Sequence, residues 1–256
     1  MGWGYCHGSC RSCWACSSGK ELYCADRQLY GLTCLNQGSF ASHAVWDGDF
    51  IYQIPEAMSS EAAAPLMCAG AAVYSSLQRA ETRPAHRVGI LGMGGLGHLA
   101  IQFAAKMGCE TVVFSHSANK KEEAFSLGAS EFHVVGRDAG TALPVDYLLI
   151  TPAKQPIWAD AIGWVRRGGT ISAMTVDPVE LNFKDLPFLA LLMNGVQVQG
   201  SLPAPREMHK EMLRFSAFHG ISPKIEKFPL DEHGITTAMQ RLREGKIRYR
   251  AVLEAS

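Results

Sequence analysis

The chain has 256 residues, enough for one or two domains at roughly 150 residues each. Hydrophobic residues make up 47% and charged residues 19%, so a core is available and disorder is excluded. Twenty-four Lys and Arg balance 24 Asp and Glu, which excludes a nucleic-acid binder working through an overall positive field and disfavours polybasic attachment to a membrane. The first ten residues have neither the basic nor the apolar stretch of a secretory signal. Residues 88–107 are apolar enough to suggest a membrane span, but they hold five glycines with His98, Gln102 and Lys106. A cytoplasmic protein with no membrane and no nucleic-acid partner is the expectation.

Residues 1–54 are rich in Gly, Ser, Cys and aromatics. Short strands are expected at 43–46 and 50–54 around Asp47-Gly48-Asp49. An alanine-rich helical run follows Ser59-Ser60-Glu61. Strands and helices then alternate: strand 86–91, a Gly-rich turn, helix 95–107, strand 111–114, helix 118–127 capped by Ser117, strands 132–135 and 146–150, helix 157–165, and strands 169–174 and 196–199. That alternation predicts an α/β fold, a doubly wound parallel sheet covered on both faces. Residues 207–219 and 234–244 read as amphipathic helices, and 250–253 as a last strand.

Five of the eight cysteines lie between positions 6 and 24. Cys10, Cys13, Cys16 and Cys24 form C-x2-C-x2-C-x7-C, a spacing that lets four thiolates converge on one tetrahedral ion as a closed structural zinc site. Such a site stabilises a lobe too small for a core of its own. The rivals are unligated or disulfide-bonded cysteines and an iron–sulfur cluster. Against the cluster, the fourth cysteine follows after seven residues and has no proline behind it. Cys6 and Cys34 read as ordinary thiols.

Gly92-Met93-Gly94-Gly95-Leu96-Gly97 fits G-x-G-x-x-G between a strand and an apolar helix, the context in which that string marks a dinucleotide site. The glycines permit a tight turn and bring backbone close to a pyrophosphate at the helix N-terminus. An NAD site usually places a carboxylate about 20 residues on, against the ribose hydroxyls. Here Ser115, His116, Ser117 and Lys120 occupy that region, and the first carboxylate is Glu122. Hydroxyls, an imidazole and a lysine suit a 2′-phosphate, so the reading is NADP(H). Read by itself, Cys68 is a small core residue of an alanine-rich helix. His43, His98 and His133 flank or sit in apolar runs and read as packing histidines; none has metal-ligand spacing.

In combination, the four-cysteine lobe, Gly38-Ser39-Phe40-Ala41, Ala63-Ala64-Pro65-Leu66-Met67-Cys68-Ala69-Gly70, the Gly-rich turn, the segment 115–120 and Arg248-Tyr249-Arg250 resemble the zinc-dependent medium-chain alcohol dehydrogenases. The likeness is to their cinnamyl alcohol dehydrogenase-like, NADP-preferring branch, and runs over essentially the whole chain. It implies an NADP(H)-dependent alcohol/aldehyde oxidoreductase acting on a small-molecule alcohol or aldehyde. It implies structural zinc on Cys10, Cys13, Cys16 and Cys24, and Cys68 as a ligand of a catalytic zinc. Ser115, Ser117 and Lys120 would surround the 2′-phosphate, with His116 where relatives often have serine. Thr151, Gly200 and Ser201 would lie near the cofactor, Arg250 would reach its phosphates, and a homodimer is expected by analogy. The fold implied is a partial GroES-like β-rich domain over 1–71, a Rossmann domain over 72–202 and a return segment over 203–256.

The departures are as specific. The family's N-terminal stretch, with the first catalytic cysteine and a G-H-E motif, has no counterpart in the sequence, so a member lacking its front end is the expectation. Ala72 stands where relatives place a threonine against the nicotinamide, and the link 136–144 is short. The alternative reading is a non-catalytic NADP-binding remnant or partner of full-length relatives.

Overall fold

The computed structural model describes residues 1–152, 156–174 and 185–255. Among these, the strands in chain order are β1 (Cys6–Gly8), β2 (Gln28–Leu29), β3 (Arg87–Leu91), β4 (Glu110–Ser115), β5 (Glu131–Val134), β6 (Val145–Ile150), β7 (Val165–Ala173), β8 (Gln197–Gln199), β9 (Ile225–Pro229) and β10 (Arg250–Glu254). The chain divides into two compact units, Val73–Ser201, and Met1–Ala72 together with Leu202–Ser256.

The continuous unit is built on one parallel sheet in the order β5-β4-β3-β6-β7-β8. Its central strands are apolar on both faces. Val88, Ile90, Leu91, Val112, Val113, Phe114, Leu148, Leu149 and Ile150 are all at most 2% exposed, the near-continuous hydrophobic pattern of a sheet covered on both sides. Helix Gly97–Lys106 buries residues from Gly97 to Ala104. Strand order reverses between β3 and β6, and at such a switch point a crevice opens beyond the carboxyl ends of the strands. A buried hydroxyl trio fastens helix Ala71–Arg79 to the sheet. Ser76 Oγ lies 2.6 Å from the Tyr147 hydroxyl and 2.8 Å from Ser172 Oγ. Burial pushes the Tyr147 phenol up to about 12, so it stays protonated.

The divided unit has less regular structure. β1 pairs antiparallel with β2, and β9 pairs parallel with β10. Cys6, Leu22, Leu29 and Phe50 form a small core beside the four-cysteine segment. Helices Ser60–Pro65, Arg206–His219 and Glu232–Arg243 complete it. Ser59 and Asp231 cap the first and last of these by accepting the amides of Ala62 and Gly234 at 3.2 and 2.7 Å.

Three expectations need correction. No strand forms at 43–46, because a strand needs a ladder neighbour and this segment has none among the described residues. The expected strand at 50–54 is replaced at its start by a tight turn, Gly48–Phe50, in which the Asp47 carboxylate accepts the Asp49 amide at 3.0 Å. Beyond it, Tyr52 makes a single antiparallel bridge to Gly2. Helix 157–165 is cut to Trp158–Gly163, because Val165 is already paired with Val145 as the first residue of β7. The Ser117 cap is real, with its hydroxyl accepting the Asn119 amide at 3.2 Å, but it opens a short 3-10 turn, Ala118–Lys120, before helix Lys121–Ser126.

Candidate functional site

The Gly-rich turn lies at the switch point, between the end of β3 and helix Gly97–Lys106. Gly92 has φ +85°, a left-handed conformation that side chains resist. A Cβ on Gly97 would sit 2.0 Å from the Gly92 carbonyl oxygen, so only glycine closes this turn. Gly94, by contrast, has nothing within 4 Å of where its Cβ would be, which leaves backbone open to an approaching phosphate. Thr151 follows β6 on the other side of the switch point. Its hydroxyl lies 2.9 Å from the Leu91 carbonyl and 3.1 Å from the Gly92 carbonyl, pinning the turn to the sheet. Fully buried His98 has Nδ1 2.8 Å from the Gly94 carbonyl. Gly200 and Ser201 follow β8 at the same carboxyl-end edge of the sheet.

The segment after β4 folds back towards this turn. Ser115 Oγ donates to the Ser117 carbonyl at 3.1 Å and accepts the Ser117 amide at 3.3 Å. Lys120 Nζ donates to the Met93 carbonyl at 2.7 Å, across 27 positions of sequence. One of the lysine's three N–H groups is thus spent on holding its charge beside the Gly-rich turn. His116 and Ser117 are exposed. No carboxylate occurs from Ser115 to Lys121.

Cys10, Cys13, Cys16 and Cys24 have Sγ atoms that all lie within 4.8 Å of one another. Individual S···S distances are 3.9 Å for Cys10–Cys16 and 3.6 Å for Cys13–Cys16. Four sulfurs at about 2.3 Å from one tetrahedral ion stand about 3.8 Å apart, so the donor set fits a single zinc. In an iron–sulfur cluster the four thiolates are shared among two or four irons, and the sulfurs spread wider. The backbone favours thiolate at Cys10, whereas at Cys24 the pull of the Cys10 amide is outweighed by burial and the neighbouring thiols, which push that thiol up to about 11. Cys13 N–H points at Cys10 Sγ at 3.4 Å and Cys10 N–H at Cys24 Sγ at 3.5 Å. Hydrogen bonds from the Ser12 and Cys13 amides, then the Ser12 hydroxyl, bring the Cys10 thiol down to about 6.

Cys68 is exposed, on a wide π-type turn, Leu66–Gly70, whose other four residues are buried. The core-residue reading of Cys68 therefore fails. Among the described residues it joins no group of three His, Cys, Asp or Glu side chains able to share an ion. His7 is buried against Trp46, and exposed His43 has Nδ1 3.1 Å from the Ser42 hydroxyl. His98 and His133 pack as expected, His133 with Nε2 2.9 Å from Glu131. Arg250, in the divided unit, opens β10 beside Ile225 of β9.

A family profile described as zinc-binding dehydrogenase matches residues 95–217. A probable cinnamyl alcohol dehydrogenase of Pinus taeda is 35% identical over 268 residues, covering 100% of this chain and 73% of its own length. A probable formaldehyde dehydrogenase of Bacillus subtilis is 33% identical, covering 97% of this chain and 72% of its own. Among solved structures, a cinnamyl alcohol dehydrogenase of Sorghum bicolor superposes with a TM-score of 0.87 at 32% identity, over 98% of this chain and 73% of that one. One from Helicobacter pylori, solved with NADP(H), superposes at 0.86 and 28% identity, over 98% and 74%. The chain belongs to the zinc-dependent medium-chain alcohol dehydrogenases. Within them it is cinnamyl alcohol dehydrogenase-like, with the Rossmann-type α/β unit of that family.

For a medium-chain dehydrogenase the two metal positions differ in kind. The four thiols fit a structural zinc. Around Cys68 the described residues do not fit a catalytic one, which needs about three protein ligands and an open position. Sequence reasoning missed the long-range ties that fix these elements. The Lys120–Met93 tie, the Ser76–Tyr147–Ser172 trio and the buried Glu21 carboxylate, which accepts the Arg206 amide at 2.5 Å, all join segments far apart in sequence. No local pattern signals any of them.

Proposed function

We propose that this dehydrogenase interconverts an alcohol and an aldehyde with NADP(H), and that in NADPH-rich surroundings it runs towards aldehyde reduction. The observation that carries the reading is the Gly-rich turn at the switch point with Lys120 held against it and no carboxylate in the segment beside it. Gly92, Gly94, Gly95, Leu96 and Gly97 offer the pyrophosphate a bare backbone. Ser115, His116, Ser117 and Lys120 receive the 2′-phosphate, and Thr151, Gly200 and Ser201 bound the remaining crevice. The bound nicotinamide supplies hydride transfer to or from the substrate carbon. The chain's own contribution is to bind and orient that cofactor. The relatives, named as dehydrogenases, do not favour the remnant reading.

Titration of the full 256-residue protein with NADPH and NADH tests this. NADPH is expected to bind the more tightly. Lys120→Ala should weaken NADPH about 10- to 100-fold, the scale of one charge-assisted hydrogen bond, and leave NADH nearly unchanged. Equal affinity for both cofactors in the parent would overturn the assignment. Turnover of aromatic and aliphatic aldehydes then tests the oxidoreductase reading itself.

Structural zinc on Cys10, Cys13, Cys16 and Cys24 belongs to the same proposal, as does Cys68 as the site thiol, the one ligand of the family's catalytic zinc that this sequence retains. A cytoplasmic setting is supported by the thiol cluster, which binds metal under reducing conditions and pairs under oxidising ones. A homodimer is supported by strand β8, at the edge of the sheet, beside helix Phe188–Asn194. Phe188, Leu189, Leu192 and Met193 of that helix are between 65% and 73% exposed. Sedimentation at about twice the 27.8 kDa chain mass is expected, and a monomer at micromolar concentration would remove this part.

A further inference from the structure

The wide turn Leu66–Gly70 joins helices Ser60–Pro65 and Ala71–Arg79. Within it the Ala71 amide reaches the Leu66 carbonyl, five residues back. Such single wide turns interrupt helices at functional sites more often than elsewhere, and they need outside support because the α register competes with them. Here the support comes from a residue 142 positions away: His209 Nε2 lies 3.3 Å from the Met67 carbonyl oxygen. The imidazole is 3% exposed and stacked on Tyr52, with ring centres 4.7 Å apart and planes 3° from parallel. On its third side lies Gly4, where a Cβ would come within 2.9 Å of Nε2 and 3.5 Å of the Met67 oxygen.

Three backbone carbonyls lie around the ring, those of Met67, Pro205 and Ala204. Pro205 O is 3.3 Å from Nδ1, but it already accepts the His209 backbone amide at 3.0 Å. Burial lowers the imidazole's pKa, which favours a neutral ring with a single N–H. The Met67 carbonyl, on another element and in a buried contact where the Pro205 contact is only partly buried, is the acceptor with more to gain. Helix Arg206–His219 is itself anchored, since its first amide donates to the buried Glu21 carboxylate.

We propose that His209 is a positioning residue whose Nε2–H holds the Met67 carbonyl, keeps the turn in its wide register and so keeps the Cys68 thiol facing outward. If the turn fell back by one residue into the α register, side chain 68 would rotate by about 100° around the helix axis, towards the packed side. The importance of this for the reaction rests on Cys68 being the site thiol; the coupling of His209 to Cys68 does not.

The test is site-resolved alkylation of Cys68 in the full chain with iodoacetamide, read by mass spectrometry, together with amide exchange at Gly70–Ala72. His209→Leu should slow Cys68 labelling about fivefold or more, the scale set by one buried hydrogen bond, and speed exchange at Ala71. His209→Gln, which keeps a donor, should recover most of both. Buried Cys6 and Cys109 should stay slow, showing intact units. Parental labelling and exchange in a folded His209→Leu protein would overturn the proposal. Should that variant unfold, Gly4→Ala decides: its methyl displaces the ring, so slowed Cys68 labelling with slow Cys6 supports the coupling and parental labelling overturns it. Unchanged turnover in Cys68→Ser would instead overturn the reading of Cys68 as the site thiol and leave the coupling standing.

Discussion

The two units of this chain are held together in different ways. Val73–Ser201 rests on a six-stranded parallel sheet whose central residues are almost wholly buried, so its stability is spread over many apolar contacts. Met1–Ala72 with Leu202–Ser256 has two short two-stranded sheets among its described residues, buried apolar residues without a large sheet to gather them, such as the Cys6, Leu22, Leu29 and Phe50 cluster and Leu66, Met212 and Leu213, and a set of polar ties. Those ties are specific: four converging thiols, the Glu21–Arg206 contact, and His209 against Met67. A unit with distributed burial tolerates the loss of any one contact. A unit with little regular sheet leans more on its polar and thiol links, and its characteristic failures are chemical: oxidation, chelation, or removal of one donor.

Chelation should therefore separate the units most sharply. Structural zinc sites carry about 10–16 kcal/mol of apparent binding free energy in small peptides, more than a unit of this size can lose and stay folded. Stripping zinc with a strong chelator, or Cys16→Ser, should make the Cys6 thiol and the amides of β1 and β2 accessible. NADPH binding by Val73–Ser201 should survive. Hydrogen exchange read segment by segment checks this. Uniform loss of protection across both units would mean that the contrast drawn here is wrong.

The converse perturbation is Gly97→Ala. The added methyl would stand 2.0 Å from a backbone oxygen of the same turn, and backbone cannot yield as a flexible side chain can. NADPH affinity should fall by about a hundredfold or more, the cost of moving the phosphate-binding amides out of place. The divided unit, measured by Cys6 labelling, should not notice. Calorimetric titration showing near-parental NADPH binding would place the cofactor elsewhere.

The same contrast governs what could be read from the sequence. The continuous unit is dominated by short-range signals: apolar strands, Gly92 to Gly97 between strand and helix, and Ser117 at a helix start. Its strands and the switch-point turn were therefore legible within a few residues. The four thiols were legible because their spacing is itself the signal. The divided unit hides its organisation. Whether 43–46 is a strand depends on a neighbour and not on its own alternation. Cys68 reads as a core residue from its alanine-rich surroundings, and is exposed on a wide turn that those surroundings do not announce. His209 looks like one polar position of an amphipathic helix until the fold brings it to Met67. Long-range polar pairs have no period, so nothing in a single sequence announces them.

The smallest expected effect distinguishes the units by acid. In Val73–Ser201 the strand ends carry ion pairs: Glu131 lies 2.9 Å from His133 and 3.0 Å from Arg87, and Asp146 accepts the Arg87 amide at 2.7 Å. The hydrogen bond from His133, then those from Arg87, hold the Glu131 carboxyl below its ordinary value of 4.5 against the opposing effect of desolvation. For Asp146 burial alone would raise the value, but the Arg87 amide and the Arg166 guanidinium outweigh it and hold the carboxyl below 3.8. A carboxyl depressed in the folded state stabilises that state fully above its unfolded value. The contribution fades as pH falls through the folded value. The contribution of these groups should thus be constant from neutral pH down to about 5 and decline below it. Partly exposed pairs of this kind contribute about 0–1 kcal/mol each, so the shift in melting temperature of the sheet unit should be a few degrees at most, and smaller in high salt. Glu131→Gln should lower stability slightly at pH 7 and flatten the dependence between pH 5 and pH 3. An unchanged slope in that variant would mean that these pairs are ornaments of the sheet edge, and that burial alone holds the unit.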